Sequence, residues 1–258
     1  MSKQMTQKKE QLPTTIDFGA DAGGGMEGTD KDSFAIPFLR VLQKISPQVD
    51  EGDAAYIEGA KGGMFLNTVT GQLFDGKEGV VFLPCAFQRR FLRWAPRGSD
   101  QGYKGEYLPE DVAAMRESGE VRELEGRLYF PTEDGEVSEK RSDRLIDTRS
   151  HFGMTEDGVQ FVMPLASTQI KKSKQLMSML SAKKINGVTP PTWMNKIRAT
   201  SVLESNDQGS WYGVKFEPVG ELTDPALYAA ARDFHGLISS GAAKAKFEED
   251  AEADDGKF

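Results

Sequence analysis

The stretch that decides the fold is GVVFLPCAFQRRFLRW, residues 79–94, the longest run in the chain with the composition of a β-strand. Its valine, leucine and phenylalanine side chains favour the pleated conformation. Pro84 lies inside the run and has no backbone N–H to donate, so it predicts a bulge or an edge position. Alternate side chains of a strand face opposite sides. The two predicted faces are therefore Arg89, Phe91 and Arg93, and Arg90, Leu92 and Trp94.

More strands are predicted on both sides of this run. Residues 64–74 (MFLNTVTGQLF) hold β-branched and aromatic residues around a Thr-Gly pair, which predicts a hairpin. Residues 120–165 alternate short apolar pieces with Gly or acidic turns and predict several short strands. Residues 193–204 and 211–219 flank the turn sequence SNDQG and predict a second hairpin.

Three segments have the signals of helices. Residues 108–119 (LPEDVAAMRESG) begin with Pro and acids and end with Gly. Residues 167–186 place apolar side chains at helical spacing and lysines between them. Asp224 and Pro225 form an N-cap and first-turn pair for a helix that ends near residue 239. Because strands and helices do not alternate regularly, we expect an α+β, mainly β fold, a small barrel elaborated with two or three helices.

Both ends of the chain differ in composition from its interior. Residues 1–31 form a polar, Gly-rich leader, and residues 242–258 end in an acidic run. Since such segments bury little apolar surface, we expect both to be disordered, with a single nucleic-acid-binding core domain at residues 32–241. No apolar run approaches the ~20 residues that a membrane-spanning helix needs, and no secretory signal precedes the core. We therefore expect a soluble, cytoplasmic protein without a membrane partner.

Catalytic and metal-binding signatures are not evident in the sequence. The single cysteine, Cys85, lies in an apolar run and is interpreted as a small buried thiol. His151 and His235 are distant from each other and lack the spacing of zinc ligands. No phosphate-binding loop of the form GxxxxGK[ST] is found. We expect no catalytic residue, no metal, no cofactor and no enzymatic activity.

The net charge of −8 conceals two basic segments. Residues 161–203 carry seven Lys or Arg and no acid, and residues 87–99 carry four arginines and no acid. Single-stranded nucleic acids are held by cations along the phosphates and by aromatic rings under the bases. Because a strand offers a ligand only one face, some of the aromatic residues must belong to the core. The predicted nucleic-acid-binding residues are Arg89, Arg90, Phe91, Arg93, Trp94, Arg97, Lys171, Lys172, Lys174, Lys183, Lys184, Trp193, Lys196, Arg198, Trp211 and Tyr212.

The chain ends in EEDAEADDGKF, residues 248–258, with six carboxylates, one lysine and a terminal phenylalanine. This segment resembles the acidic C-terminal tails, ending in Phe, of bacterial and bacteriophage single-stranded-DNA-binding proteins, including those of T7-like phages. Gly256 and Lys257 depart from the acidic pattern just before the terminal ring. The matching residues are Glu248, Glu249, Asp250, Glu252, Asp254, Asp255 and Phe258.

The resemblance implies an OB-fold barrel that coats single-stranded DNA in replication or recombination, in the host cytoplasm if a phage encodes it. It also implies that the tail recruits replication or recombination proteins and occupies the DNA groove when DNA is absent. A homo-oligomer is compatible with this reading. Three alternatives stay open: a recombination mediator or annealing protein, a structural or virion-associated phage protein without nucleic-acid binding, and a metal-dependent nuclease.

Overall fold

The computed structural model describes residues 24–29, 35–96, 98–99, 101–207 and 209–247. The chain divides into two units, Met1–Phe34 and Ala35–Phe258. In the first unit, residues 24–29 form turns in which the Thr29 N–H donates to the Met26 carbonyl oxygen at 3.1 Å. The rest of the predicted leader, Arg97 and the acidic tail at 248–258 lie outside the described residues.

The second unit is mainly β with three α-helices, as the α+β class predicted. The helices are α1 (Pro109–Ser118), α2 (Ile170–Ala182) and α3 (Pro225–Ser239). The strands are β1 (Leu39–Val41), β2 (Phe65–Asn67), β3 (Leu73–Phe74), β4 (Val80–Trp94), β5 (Tyr103–Tyr107), β6 (Arg122–Leu124), β7 (Arg127–Tyr129), β8 (Arg144–Thr155), β9 (Gln160–Ala166), β10 (Asn195–Asn206) and β11 (Gly209–Glu221).

The large sheet is built around β4 and β8, which pair antiparallel along most of their length. The beginning of β4 pairs with β10, which pairs in turn with β11, and the end of β4 pairs with β5. The beginning of β8 pairs with β7 and the rest of β8 pairs with β9. The order is therefore β11-β10-β4-β8-β9 at one end of the sheet, with β5, β7 and β6 extending the other end.

Strand β4 distributes its side chains between cores on opposite faces of the sheet. Phe82 packs in a core that includes Leu176 of α2, and Leu83 packs in a core that includes Phe234 of α3. The ladder with β8 shifts register between Pro84 and Ala86, which confirms the bulge predicted from the proline. Helices α2 and α3 thus cover opposite faces of the sheet.

The predicted hairpins and helices are confirmed, with one difference in strand length. Segment 64–74 forms the antiparallel pair β2–β3, which joins β1 in a second, three-stranded sheet. Segment 193–219 forms the β10–β11 hairpin, and Asp224 caps α3 by accepting hydrogen bonds from the N–H groups of Ala226 and Leu227. The difference is β8, a 12-residue strand where short strands were expected.

The chain stays packed beyond residue 241, where the core domain was expected to end. Phe247 is only 3% exposed and its ring lies 5.4 Å from that of Phe38. Packed structure therefore reaches the residue that immediately precedes the acidic run at 248–258. None of the helices within the described ranges is long and apolar enough to span a bilayer.

Candidate nucleic-acid interface

The candidate site is a seam in which β11 lies beside the end of β1 and the β9–α2 junction. Two glutamine side chains bridge this seam in place of a strand ladder. The Gln43 amide donates to the Tyr212 carbonyl oxygen at 2.9 Å and accepts from the Tyr212 N–H at 2.8 Å. The Gln169 Oε1 accepts from the Val214 N–H at 2.9 Å. These bonds satisfy the edge of β11 that does not pair with β10, where no further strand is hydrogen-bonded to it in the described chain. A gap remains between this edge and the elements around it.

This gap is a cavity of about 190 Å³. Its walls come from β1, from the end of β9 with the following turn, and from β11, and Phe247 contributes the ring that precedes the acidic run. Within the described chain, Arg40 is the one charged residue of the lining. The remaining lining residues are Leu39, Val41, Gln43, Ser46, Leu92, Thr148, Met163, Pro164, Leu165, Ala166, Ser167, Thr168, Gln169, Trp211, Tyr212 and Val214.

Tyr212 is fixed by close packing on the Gly62–Gly63 backbone. A Cβ at Gly63 would lie 2.7 Å from the Tyr212 Cε1, and one at Gly62 would lie 3.0 Å from its Cε2. Gly63 also has a φ of +92°, in the region where residues with a side chain are strained. Because glycine is required at this contact, the ring position is specified by the loop between β1 and β2.

Trp211 is held by a charged network on the neighbouring side of the hairpin. Its indole N–H donates to the Glu204 carboxylate at 3.1 Å, and the Lys172 Nζ lies 2.6 Å from the same carboxylate. Desolvation raises the pKa of Glu204, but the hydrogen bond and charge of Lys172, with hydrogen bonds from Gln169 and Trp211, outweigh it and leave the pKa below its ordinary value. Glu204 is thus ionised, and the positive charge of Lys172 offsets its negative charge beside Trp211.

The first turns of α2 carry two further lysines in addition to Lys172. Lys171 and Lys174 are exposed, and no ion pair involves either of them among the described residues. The turn that leads into α2 contains Ser167 with a φ of +49°, a conformation that is uncommon for a residue with a side chain. The first turns of α2 therefore carry exposed positive charge a few residues beyond Gln169, which lines the cavity.

The arginines predicted on β4 are, in contrast, already paired. Arg89 makes a bidentate pair with Asp147 at 2.9 and 2.7 Å. Arg93 lies 2.6 Å from the Asp143 carboxylate and 3.8 Å from the centroid of the Phe130 ring. Arg90 has a weaker ion pair with Glu106 at 3.9 Å. The hydrogen bonds and the charge of Asp147 raise the pKa of Arg89 against the effect of desolvation.

Three of the predicted aromatic residues lie in cores or inner contacts. Phe91 packs with residues around α1, and Trp94 is 4% exposed beside Tyr103. Trp193 is half-buried and packs on His235 and Tyr228. Trp211 and Tyr212 are the predicted aromatic residues that line the cavity, and of these two Trp211 is itself only 9% exposed, whereas Tyr212 is half-buried.

The remaining predicted cations lie apart from the seam or are paired. Lys183 pairs with Glu221 at 3.2 Å and Lys196 pairs with Glu156 at 2.8 Å. Lys184 hydrogen-bonds Thr189, and Arg198 is exposed on β10 opposite Glu217 of β11. Of the two basic segments, the structure brings Lys172 next to Trp211 through the shared Glu204 carboxylate, whereas the β4 arginines pair with carboxylates of their own sheet.

His151 and Cys85 are both buried in the interior of the protein. His151 is 2% exposed and its Nε2 lies 2.8 Å from the Ser173 hydroxyl. Burial, with a contribution from the charge of Arg149, lowers the pKa of His151 to about 4. Burial raises the pKa of the Cys85 thiol to about 12. Among the described residues, no cluster of three or more His, Cys, Asp or Glu is arranged to hold a metal ion.

Sequence reasoning missed three residues that shape the site: Arg40, Gln43 and Gln169. A signal for Arg40 was present, because it is a cation in the first apolar cluster of the chain. The two glutamines carry no such signal, since their partners are backbone groups of β11 that are remote in sequence.

The chain was compared with protein-family models, with curated proteins and with solved structures. The model of the Pam3 phage gp34-like protein family matches residues 6–244. No curated protein matches the chain significantly. No solved structure matches it significantly either.

Proposed function

The chain belongs to the Pam3 phage gp34-like protein family, and we propose that it binds single-stranded DNA without sequence preference in phage DNA replication or recombination. The observation that carries the proposal is the seam cavity. Its described lining contains one cation, Arg40, and no carboxylate, together with Trp211 and Tyr212. A site of this kind suits an anionic chain that also presents flat, apolar bases.

The strand order supports an OB-fold-like barrel as the framework of this proposal. The OB-fold is a five-stranded, partly open Greek-key barrel that binds oligonucleotides. In that fold the first strand pairs with the second and the fourth, and a helix lies between the third and the fourth. Here β4 pairs with β8 and β10, β8 also pairs with β9, β10 also pairs with β11, and α2 lies between β9 and β10. The glutamine-bridged seam lies between the elements that correspond to the third and fifth strands.

Unpaired lysines give the site the electrostatics that the proposal needs. Lys171 and Lys174 are exposed at the start of α2, and the nearby Glu204 is already neutralised by Lys172. A polyanion is steered by local potential and not by net charge, so a chain with a net charge of −8 can still bind DNA at such a surface. We expect affinity to depend on these lysines more than on the paired arginines of β4.

The position of Phe247 supports a competing role for the acidic tail. Phe247 lines the cavity, and the six-carboxylate run begins at the next residue. Eleven further residues reach at most about 40 Å when fully extended. We propose that the tail competes with DNA for this surface and, when DNA displaces it, recruits replication or recombination proteins.

A matched pair of charge reversals tests the binding surface. Lys174→Glu changes an exposed lysine in the first turns of α2, and Lys140→Glu makes the same change at an exposed lysine in the segment before β8. With a labelled oligothymidylate and fluorescence anisotropy at low salt, we expect Lys174→Glu to weaken binding at least fivefold and Lys140→Glu to leave it within twofold.

Two results would contradict the proposal. The first is the absence of oligothymidylate binding by the unaltered chain at low salt. The second is an equal loss of affinity in both variants, which would indicate general charge attraction without a defined surface. Repeating the assay on a gel with complementary strands, with and without magnesium, separates simple binding from strand annealing and from cleavage.

A further inference from the structure

We propose that Arg89, Asp147 and Arg149 form a binding site for a phosphate ion that retains a proton, either inorganic phosphate or the protonated form of a phosphomonoester. The site lies on strands β4 and β8, and none of its three residues lines the seam cavity. The inference therefore goes beyond the proposed function and does not depend on it.

Arg149 is a largely buried arginine that lacks a hydrogen-bond partner. Its side chain is 13% exposed, and its Nε is shielded from solvent with no acceptor among the described residues. The carboxylate that pairs with it is that of Asp147, whose Oδ2 lies 3.7 Å from the Arg149 Nη2, beyond hydrogen-bonding distance. A buried charge without a hydrogen-bonded partner is costly, so this guanidinium favours the approach of an anion.

The register of the sheet places a second positive charge beside Arg149. Arg89 lies directly opposite Arg149 in the β4–β8 ladder, and like charges in this position destabilise a sheet. Asp147 offsets one of the two charges, and its oxygens bind the Arg89 Nε and Nη2 at 2.9 and 2.7 Å. The three side chains therefore carry a surplus of one positive charge. Because Arg89 and Asp147 both keep some exposure to solvent, a small ion can reach the group.

A second group of two cations and one carboxylate differs from this one in its hydrogen bonds. Asp143 binds both of its cations closely, with the Arg93 Nη2 at 2.6 Å and the Lys104 Nζ at 2.9 Å. The charge of Arg149, in contrast, also acts on the buried His151, where it contributes with burial to a lowered pKa. The positive charge of Arg149 is thus not fully offset by its own neighbours.

The carboxylate of Asp147 determines which anion fits. Arg89 uses two of its roughly four acceptor positions, so others remain for a further donor. A phosphate that retains a proton can donate its O–H to Asp147 while its other oxygens accept hydrogen bonds from the Arg149 guanidinium. Sulfate and the phosphodiesters of DNA have no such O–H, so their oxygens would face the carboxylate as like charges. The site therefore favours protonated phosphate over these anions.

The test uses inorganic phosphate as the probe and the arginine Nε–H signals of the full chain as reporters. In nitrogen–proton correlation spectra, we expect sodium phosphate to shift the Arg149 and Arg89 signals saturably. The signal of Arg116, an exposed arginine that pairs with Glu123, is expected to stay in place. Sodium sulfate at the same ionic strength is expected to bind about tenfold more weakly, because a hydrogen bond to a charged group is replaced by repulsion.

Two variants separate the roles of the arginine and the carboxylate. Arg149→Gln is expected to abolish the effect of phosphate on the Arg89 signal, whereas the matched Arg116→Gln is expected to keep it. Asp147→Asn retains an acceptor for Arg89 but adds an N–H donor, so we expect it to bind sulfate and phosphate with similar affinity. The indole N–H signals of the three tryptophans establish that each variant is folded. The comparison of phosphate with sulfate in the unaltered chain tests the site without any variant.

Thymidine monophosphate distinguishes the two sources of the ion. A phosphomonoester loses its last proton with a pKa of about 6, whereas inorganic phosphate still holds one above neutral pH. If the nucleotide shifts the Arg149 signal at about pH 6 and not at about pH 8, phosphomonoesters are ligands of the site. If it has no effect at either pH while inorganic phosphate does, the site takes inorganic phosphate alone. Both results support the site.

The outcomes also separate this inference from the proposed function. The site is overturned if phosphate shifts neither the Arg149 nor the Arg89 signal, if it shifts the Arg116 signal to the same extent, or if sulfate binds the unaltered chain as tightly as phosphate. Binding of oligothymidylate in the presence of such a result would leave the proposed function standing. If phosphate binds selectively and oligothymidylate does not bind at low salt, the proposed function fails and the phosphate site stands.

Discussion

At the scale of single residues, the partner of each charged side chain decides whether it is available to a ligand. Arg89 and Arg93 were predicted to bind nucleic acid because no acid lies near them in the chain. Asp147 and Asp143 reach them from the neighbouring strand β8 and the segment before it. Such cross-strand partners depend on register, which sequence spacing alone does not provide.

His151 predicts how stability responds to acid. Its folded pKa of about 4 lies below its ordinary value of 6.5, so between these values the unfolded chain binds a proton that the folded chain does not. The contribution of His151 to the free energy of unfolding is therefore fully present above pH 6.5 and is lost as the pH falls toward 4. The total loss is about 3 kcal/mol. We expect the free energy of unfolding, measured with urea, to fall less over this interval in His151→Gln than in the unaltered chain. If the free energy of unfolding fell with pH by the same amount in both proteins, the predicted role of His151 would be contradicted.

Gly63 predicts the cost of disturbing the Tyr212 contact. Gly63→Ala introduces both a strained positive φ and a Cβ 2.7 Å from the Tyr212 ring. Gly71 has a similar φ of +69° and open space around its Cβ position, so Gly71→Ala serves as a control for backbone strain alone. We expect about 1 kcal/mol of destabilisation for Gly71→Ala and 2–3 kcal/mol, roughly, for Gly63→Ala in urea unfolding. Equal effects would mean that the ring contact is not needed.

At the scale of elements, local patterns identified the hairpins and helices well. The β2–β3 and β10–β11 pairs follow turn sequences, and α3 follows an Asp-Pro pair, so each is specified by residues close in the chain. Short strands were predicted over residues 120–165 because short apolar pieces alternate there with Gly or acidic turns, but β8 runs through the polar residues Asp147 and Arg149 without a break. Those polar residues are tolerated in a long strand since Arg89 of β4 pairs with Asp147 across the ladder.

The seam makes a prediction about the edge of β11. Gln43→Leu removes both hydrogen bonds to Tyr212, and Gln169→Leu removes the one to Val214. An unsatisfied backbone group that is shielded from water costs about 1–3 kcal/mol. We expect hydrogen exchange of the Tyr212 amide to accelerate in Gln43→Leu and that of the Val214 amide to accelerate in Gln169→Leu. Each variant is the control for the other, and identical exchange patterns would contradict separate bridges.

At the scale of the whole molecule, the net charge and the distribution of charge along the chain led to different expectations about a DNA partner. The net charge of −8 argues against a DNA partner, but a charge of −5 belongs to residues 248–258 alone. The sequence predicted the mainly-β class and placed Trp211 and Tyr212 among the candidate residues. It did not predict the cavity, because the cavity forms where β1, β9 and β11 meet and these strands are far apart in the chain.

The acidic tail predicts a second whole-molecule effect. If residues 248–258 compete with DNA from their attachment at Phe247, their removal will tighten oligothymidylate binding at low salt. We expect a gain of threefold or more, which shrinks at high salt because tail and DNA are both held by charge. Replacing the six carboxylates by their amides, with Phe258 retained, distinguishes charge from the terminal ring. Unchanged affinity for oligothymidylate after the deletion would contradict competition between the tail and DNA.

The most direct test of the central claim is the salt dependence of oligothymidylate binding by the full chain, followed through tryptophan fluorescence. If single-stranded DNA lies along Arg40 and the α2 lysines, the logarithm of the association constant will fall linearly with the logarithm of salt concentration, with a slope of about −0.7 for each phosphate contacted. Three to five contacts predict a slope of roughly −2 to −3.5. Lys174→Glu is expected to make that slope less steep. No binding at low salt, or binding that does not depend on salt, would contradict the account.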